Sequence, residues 1–445
     1  MQQAIVIFTR VPEAGKTKTR LMPHLTPKQC EKLHTCFLKD IRKQCENCSA
    51  DLFVSYMAEE TDGEERIRNI MGAQNGYFPQ EGESLGEKMY RAIEKVLAMG
   101  YKKCVLIGTD VPEIQTKYLE RAFEALDEKS VVFGRTLDGG YYLVGMKTPQ
   151  KEAFGLSSYG HSKVLEDTLE VLRKERIKVG FTNMLEDMDA PEDLQGYRTR
   201  MRESKTLQES ETGRYLAKIA KISIIIPVYN EEKTIVKLQQ QLEELKEQCE
   251  IIFVDGGSTD RTVKLIQPDY RVIYEAKGRA WQMNAGAKES KGDILFFLHC
   301  DSELPTRPLA EIRRVMKDHS AGCFGIAFHS KNFFMWTCRV ISNHRIKDRK
   351  VMFGDQGIFV DRDLFFKAGM FPEIPIMEDY QFSLTLKEME IRLGMAKRRI
   401  YTSDRRFPKG TIPKLRIMWK MNRLRKMYRD GVDIEVISGM YQDVR

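Results

Sequence analysis

At 445 residues the chain exceeds one ordinary domain, and at roughly 150 residues per domain it predicts two or three. With 42% hydrophobic and 31% charged residues it reads as soluble globular domains rather than disorder or collagen, and no apolar run reaches the ~18–20 residues that cross a bilayer. The net charge of +8 is uneven: 397–430 hold 13 Lys/Arg against two acids, a basic segment on a mildly acidic body, so no general nucleic-acid-binding surface is expected.

Ala4-Ile5-Val6-Ile7-Phe8 is a continuous β-branched apolar run, the pattern of a strand buried on both faces of a parallel sheet. It follows Met1-Gln2-Gln3 directly, without the basic start and cleavage site of a signal peptide, so a cytoplasmic location is expected. The loop after it, Thr9 to Leu21, carries Gly15 and the cations Arg10, Lys16, Lys18 and Arg20. That composition suits a cradle for a diphosphate or triphosphate, although the P-loop spacing is not met and a basic solvent loop has the same composition. A helix is expected over 27–46. Nine cysteines at 30, 36, 45, 48, 104, 249, 300, 323 and 338 form no disulfide framework. Cys45 and Cys48 make one C-x-x-C without a second pair, and read as ordinary helix residues.

A second apolar strand, 104–107, ends in Gly108-Thr109-Asp110 and leaves a carboxylate at its carboxyl end. Asp138-Gly139-Gly140 is a glycine turn opening another strand. Asp189 offers a late second metal ligand, or equally a cap for the helix after Pro191. Residues 201–220 are polar and read as a linker between domains at 1–200 and 221–400, with an extension over 401–445.

The second domain repeats the plan. Ile222 to Ile226 is a buried strand, followed by Pro227-Val228-Tyr229-Asn230-Glu231 and a helical pattern over 231–248. Ile251 to Val254 ends in Asp255-Gly256-Gly257, where an acid beside glycines can meet a nucleoside's hydroxyls or base, or simply close a turn. Lys277 and Arg279 could meet a diphosphate, and would equally suit a solvated helix start. The strand 294–298 runs into Asp301-Ser302-Glu303, whose carboxylates at i and i+2 suit a divalent ion shared with substrate phosphates. His299 is better read as structural. Glu378-Asp379 could supply a general base for an acceptor hydroxyl, or cap a helix, and Gly354-Asp355-Gln356-Gly357 precedes it. The last feature, 414–428, interleaves Leu415, Met418, Met421, Leu424 and Tyr428 with cations, fitting either an anionic lipid surface or docking on its own domain. Strands alternating with helices make the fold class α/β, two α/β/α sandwiches in tandem.

The ordered motifs P-V-Y-N-E, V-D-G-G-S-T-D, G-R-A-x-Q-M-N-x-G, H-C-D-S-E and M-E-D-Y resemble family 2 glycosyltransferases of the GT-A fold, in the branch named rSAM/selenodomain-associated transferases. The resemblance implies a nucleotide-sugar donor held by Pro227, Tyr229, Glu231, Asp255 and Arg279, Mg2+ or Mn2+ at Asp301 and Glu303, and Asp379 beside Glu378 as the base of an inverting displacement. The metal motif reads Asp-Ser-Glu where the family has Asp-x-Asp, and the Gln-x-x-Arg-Trp signature of processive relatives is absent. The N-terminal F-T-R-V-P-x-A-G-K-x-K-T-R-L, G-T-D-V-P, D-G-G-Y-Y-L-V-G and D-M-D-A-P-E-D-L are similar to the partner family of the same name, itself GT-A-like and akin to guanylyltransferases. That likeness implies phosphate binding by Lys16, Lys18 and Arg20 and metal binding by Asp110, with Asp189 as the second ligand; Ser158-Tyr159-Gly160-His161-Ser162 stands where the family has Trp-Ser/Thr. The expected activity is sugar transfer to a small-molecule or lipid-linked acceptor; nucleotidyl transfer as the main activity, or a silent nucleotide-binding N-terminal scaffold, are the alternatives.

Overall fold

The computed structural model describes residues 3–156, 158–329, 333–402 and 411–442. The chain forms two compact units, Met1–Leu216 and Ala217–Arg445. Met1, Gln2 and 403–410 lie outside the described residues, as do the side chains of Cys338, Lys414 and Leu415.

In unit 1 the strands are β1 (Gln3–Arg10), β2 (Asp51–Met57), β3 (Gly76–Pro79), β4 (Lys103–Ile107), β5 (Val131–Arg135), β6 (Tyr141–Met146) and β7 (Val179–Phe181). They form one sheet in the order β3-β2-β1-β4-β6-β5-β7, in which β6 alone runs antiparallel to its neighbours. The β-branched run of β1 is buried on both faces, as continuous apolar strands require. Ile5 and Ile7 pack with Val105 and Ile107 on one face, while Ala4 and Val6 pack with Cys104 and Leu106 on the other. The helix expected over 27–46 is Pro27–Glu46, started by a Thr26–Gln29 capping box with proline in its first turn. Its Cys45 lies in the core with Cys48, and neither is part of a disulfide.

Unit 2 repeats this layout. Its strands are β8 (Ile222–Val228), β9 (Glu250–Asp255), β10 (Arg271–Tyr274), β11 (Ile294–Phe297), β12 (Ala321–Ala327), β13 (Ile358–Asp361) and β14 (Leu393–Tyr401). The order β10-β9-β8-β11-β13-β12-β14 is that of unit 1 strand for strand, and β13 is again the antiparallel member. Both units are α/β/α sandwiches. The helix expected over 231–248 begins only at Ile235. Its predicted first turn is drawn into a loop whose Asn230 and Glu231 amides are held by Ser258 and Thr262 hydroxyls, at 2.9 and 2.7 Å.

In each sheet the order reverses between β1 and β4, or β8 and β11. Connections leave these two parallel strands toward opposite faces, so a crevice opens beyond their carboxyl ends. Asp110 and Asp301 occupy equivalent positions there, each following the fourth strand of its sheet.

The polar stretch 201–220 is helical, in Pro191–Glu203, Lys205–Glu209 and Glu211–Ile219, with Leu207 and Leu216 buried. Its anchor is Asp40, a buried carboxylate that accepts the Glu211 and Thr212 amides, both at 2.8 Å, and so caps the last helix from outside. Asp40→Ala strands two helix-end donors in a buried setting. It is expected to lower the unit's stability by about 2 kcal/mol, read from the urea midpoint of the full chain.

Candidate functional site

Unit 1 builds its crevice from the loop after β1. The loop closes on itself: Glu13 O accepts the Lys16 and Thr17 amides, and the Thr17 hydroxyl accepts the Glu13 amide. Lys18 then adopts a left-handed conformation (φ 52°), which turns its side chain inward until only 3% is exposed. Its ammonium donates to Met188 O at 2.7 Å and to Asp189 at 3.2 Å, and contacts Asp110. Arg20 reaches the other Asp189 oxygen at 3.2 Å, whereas Lys16 turns outward to Glu13 and Glu59 at 3.0 and 2.7 Å. Of the three expected phosphate cations, Lys18 is thus engaged by Asp110, Asp189 and Met188 O, and Lys16 by Glu13 and Glu59. Burial alone would lower the Lys18 ammonium, but Asp110 and Asp189 hold it above the usual lysine range.

Asp110 and Asp189 do meet, as the metal reading requires, but Lys18 Nζ stands between them. An ammonium in contact with both leaves little charge for a divalent ion, and among the described residues no group of three or more His, Cys, Asp or Glu is placed to hold a metal. Asp189 is not the cap of the following helix either. Asp193 does that work, accepting the Asp189 and Ala190 amides at 2.8 and 2.6 Å. The Asp138-Gly139-Gly140 turn is structural: Gly139 sits at φ 92°, and a Cβ there would lie 1.8 Å from Ser162 O.

What unit 1 does offer is a cavity of about 620 Å3, lined by Arg10, Lys16, Lys18, Arg20 and Lys88 on its cationic side and by Thr109, Asp110 and Tyr141 opposite. That volume lies in the range of small-molecule sites. His34 lies in its wall, 3.1 Å from the Thr109 hydroxyl, and burial with the nearby Lys18 charge pushes its imidazole down to about 4.

Unit 2 brings together most of the residues singled out in sequence. Asp255, at the end of β9, is buried, and its carboxylate accepts the Gly257 and Ser258 amides at 3.0 Å each. This fixes the glycine loop, and Asn230 ties the neighbouring loop to it by accepting the Thr259 amide at 2.9 Å. Pro227 pairs with Val254 inside the sheet. Tyr229 lies 4.2 Å under the Lys277 ammonium, and Glu231 accepts the Thr234 hydroxyl at 2.6 Å. Two side chains quoted only as part of a motif prove to hold the site. Gln282 donates to Val228 O and Val254 O at 2.8 and 2.7 Å, clamping the ends of β8 and β9 together. Asn284 exchanges hydrogen bonds with the backbone of Phe371, fixing the loop before Glu378. Buried amides two residues apart on one helix were the available signal.

Arg279 forms an ion pair with Glu378 (Nε to Oε1, 3.0 Å). Burial holds the Glu378 carboxyl above its usual range against that guanidinium, the neighbouring Asp379 adding to the rise, and its second oxygen has no hydrogen-bond partner. Asp379 is oriented by the Gly354 and Tyr380 amides, each at 2.7 Å. His299 packs over Gly354 so closely that a Cβ there would lie 2.7 Å from Nε2, and 3.5 Å from Asp379 Oδ2. The strand end bearing Asp301 and the helix bearing Asp379 thus converge across one glycine. Glu303 is directed elsewhere: Lys237 and His329 (2.8 Å) take its two oxygens, and outweigh burial to hold the carboxyl below the usual range. Glu303 is therefore not placed to partner Asp301 on a divalent ion, and among the described residues of this unit, too, no group of three or more His, Cys, Asp or Glu is placed to hold one.

The basic segment forms the helix Thr411–Arg429. Leu424 is buried, and Met421 and Tyr428 pack with it against Ile376, Met377 and Tyr380, so this stripe docks on its own unit while Trp419 stays exposed.

The neutral His34 gives unit 1 a pH signature. Its folded-state value lies below the unfolded ~6.5, so the unfolded chain takes up a proton first as pH falls. Stability should fall from pH 6.5 toward pH 4, by as much as about 3 kcal/mol from this group. His34→Gln should flatten that part of the urea-midpoint profile, and a histidine resonance titrating near 6.5 would remove the assignment.

Two family models match the chain. One, glycosyl transferase family 2, covers 223–373; the other, described as an uncharacterized protein conserved in bacteria (DUF2064), covers 41–161. An undecaprenyl-phosphate 4-deoxy-4-formamido-L-arabinose transferase of Proteus mirabilis is 30% identical over 108 residues, 21% of this chain and 33% of that protein. A 4,4'-diaponeurosporenoate glycosyltransferase of Staphylococcus haemolyticus is 36% identical over 92 residues, 19% and 24% of the two chains. The chain thus spans about a third or less of these relatives. A structure from Desulfovibrio desulfuricans, named for nucleotide-diphospho-sugar transfer, is 28% identical, with a TM-score of 0.46 over 49% of this chain and 94% of that one. A mannosyltransferase from Pyrobaculum calidifontis, in complex with GDP-Man and Mn2+, is 17% identical at a TM-score of 0.35, over 54% and 76%. One stretch of each unit is therefore similar in sequence to a known family, 41–161 to DUF2064 and 223–373 to glycosyl transferase family 2.

Proposed function

We propose that unit 2 transfers a sugar from a nucleotide-sugar to a small-molecule or lipid-linked acceptor, assisted by Mg2+ or Mn2+ and with inversion. The observation that carries this reading is that Asp255 and Asp301 stand at the carboxyl ends of β9 and β11, in a sheet matched by the family 2 model, while Asp379 lies across Gly354 from His299. Asp255 retains acceptor capacity beyond its two loop amides, enough for a nucleoside donor group. Asp379 takes the proton of the acceptor hydroxyl as that oxygen bonds to the anomeric carbon, and the bond to the nucleoside diphosphate breaks with its electrons on the phosphate. Asp301 would hold a divalent ion, which when bound would neutralise that leaving charge. Tyr380 and Gly354 amides keep Asp379 aimed while this happens. The acceptor class follows relatives whose names include undecaprenyl-phosphate and a carotenoid acid. Trp419 and the cations around it would meet an anionic lipid surface; among the described residues no helix is long and apolar enough to cross a membrane.

For unit 1 the cationic 620 Å3 cavity favours a nucleotide-binding role, as a nucleotidyltransferase or second sugar transferase in the same pathway. The carboxylates already neutralised by Lys18 favour a catalytically silent nucleotide-binding unit as the second reading.

The test is nucleotide release by the full chain from UDP-, GDP-, ADP- and dTDP-sugars, with and without Mn2+. Asp301→Ala should abolish metal-dependent donor binding, and unchanged manganese dependence would remove it as a ligand. Asp379→Asn should bind donor normally and lose about a hundredfold or more in transfer; retained turnover would exclude it as the base. Pyrophosphate release from an NTP, lost in Asp110→Ala, would make nucleotidyl transfer the activity of unit 1.

A further inference from the structure

We propose that Arg345 and Arg425 form a phosphoryl-binding site beside Asp379, for a phosphate carried into unit 2 by one of its substrates. The proposal rests on the glycosyltransferase reading and names a chemistry that reading leaves open.

The two guanidiniums come from helices far apart in sequence, Phe333–Arg349 and Thr411–Arg429, and share one aromatic ring. Their carbons lie 4.0 and 5.3 Å from the centroid of Phe353, the residue before Gly354, whose amide holds Asp379. Placing two cations over one ring costs Coulomb energy that a nearby carboxylate would ordinarily offset. Here the offset is partial: Asp355 and Asp379 act on Arg345 and Asp379 on Arg425, but among the described residues neither guanidinium has a carboxylate oxygen within 4.0 Å. Among the described residues the Arg345 Nε–H is buried without a hydrogen-bond partner, and Arg425 donates to the side-chain amide oxygen of Asn422. Arg279, in the same site, is neutralised by Glu378 at 3.0 Å. Burial and the Arg425 charge push Arg345 down to about 10, with Asp355 and Asp379 only partly opposing. Burial likewise lowers Arg425, with Tyr380 and Asp379 opposing and Arg429 and Arg349 adding like charge.

Packing fixes this arrangement. Leu424 is buried beside Arg425, the Tyr428 hydroxyl donates to Gln381 at 2.9 Å, and Arg429 donates to the Tyr380 hydroxyl at 3.0 Å. The basic helix is thereby bolted to the helix Glu378–Glu388, which starts with the proposed base. Half-buried guanidiniums that no carboxylate contacts directly are costly, and paired planar forks match the oxygens of a phosphate. The proposed reaction brings two such groups to the site, the donor's diphosphate and the phosphate of a lipid-linked acceptor.

The experiment is calorimetric binding to the full chain of UDP and GDP, and of a short isoprenyl monophosphate, each against its phosphate-free counterpart: uridine, guanosine or the isoprenol. Arg345→Gln and Arg425→Gln should each weaken a phosphorylated ligand about tenfold or more and leave its counterpart unchanged, with Arg425→Lys restoring part of the loss. Loss confined to nucleotides assigns the site to the donor diphosphate; loss confined to the isoprenyl phosphate assigns it to the acceptor. Unchanged binding of every phosphorylated ligand, in variants with wild-type circular dichroism and urea midpoints, overturns the site, while nucleotide release by the wild type would keep the glycosyltransferase reading standing. Equal losses with and without phosphate also overturn it, showing a structural role. A wild type that binds no phosphorylated ligand and releases no nucleotide sinks both.

Discussion

Two neighbouring parallel strands whose connections leave toward opposite faces cannot both be covered at their carboxyl ends. In each unit that uncovered edge falls between the first and fourth strands, where Asp110 and Asp301 stand just past the fourth strand. The strands themselves are committed to the core on both faces, Ile5 and Ile7 against one helical layer and Ala4 and Val6 against the other. The central strands Gln3–Arg10, Lys103–Ile107, Ile222–Val228 and Ile294–Phe297 carry no acid, so carboxylates enter where strands stop. Asp110, Asp255 and Asp301 stand at such stops, and their placement follows from the burial of what precedes them.

A second layer of buried polar side chains makes these ends rigid. Gln282 bridges the last carbonyls of two strands, Asn284 pins a distant loop, and Asp255 spends part of its own carboxylate on the amides of its turn. Removing one partner from such a set leaves a buried donor or acceptor unmade, so the loops have little freedom to rearrange. Gly354 serves the same end by absence. With no Cβ, it lets the His299 ring and the Asp379 carboxylate close on one backbone segment.

Strands and site acids were legible in the sequence because each depends on neighbours within a few residues: an apolar run, then an acid. The helix Pro27–Glu46 was legible for the same reason, its capping box being local. The start of the next domain's helix was not, because Ser258 and Thr262 claim the amides of Asn230 and Glu231 from about thirty residues away. Nor was the polar stretch after residue 200, whose last helix is capped by Asp40, 171 residues earlier at its nearest partner. Lys18 is the sharpest case. Its composition promised a phosphate ligand, but a left-handed backbone and partners at 110 and 188–189 turn it into an internal counter-ion. The Arg345–Arg425 pairing has no local trace at all, since only the docking of the last helix brings the two together.

The two units share a strand order yet handle charge in opposite ways. Unit 1 encloses its own cation between the acids at its crevice, so Lys18, Asp110 and Asp189 balance within the chain and the remaining cations line the cavity wall. Unit 2 neutralises Arg279 internally but leaves two guanidiniums over Phe353 that, among the described residues, no carboxylate contacts directly. A fold that closes its charge balance internally gains stability from it whether or not a ligand arrives. One that leaves cations unbalanced in a half-buried site gives up stability until an anion binds, and recovers it as differential affinity for that anion. On that argument the shared sheet sets where a ligand can sit, and the unbalanced arginines, more than the strand-end acids, set which chemical group unit 2 is built to receive.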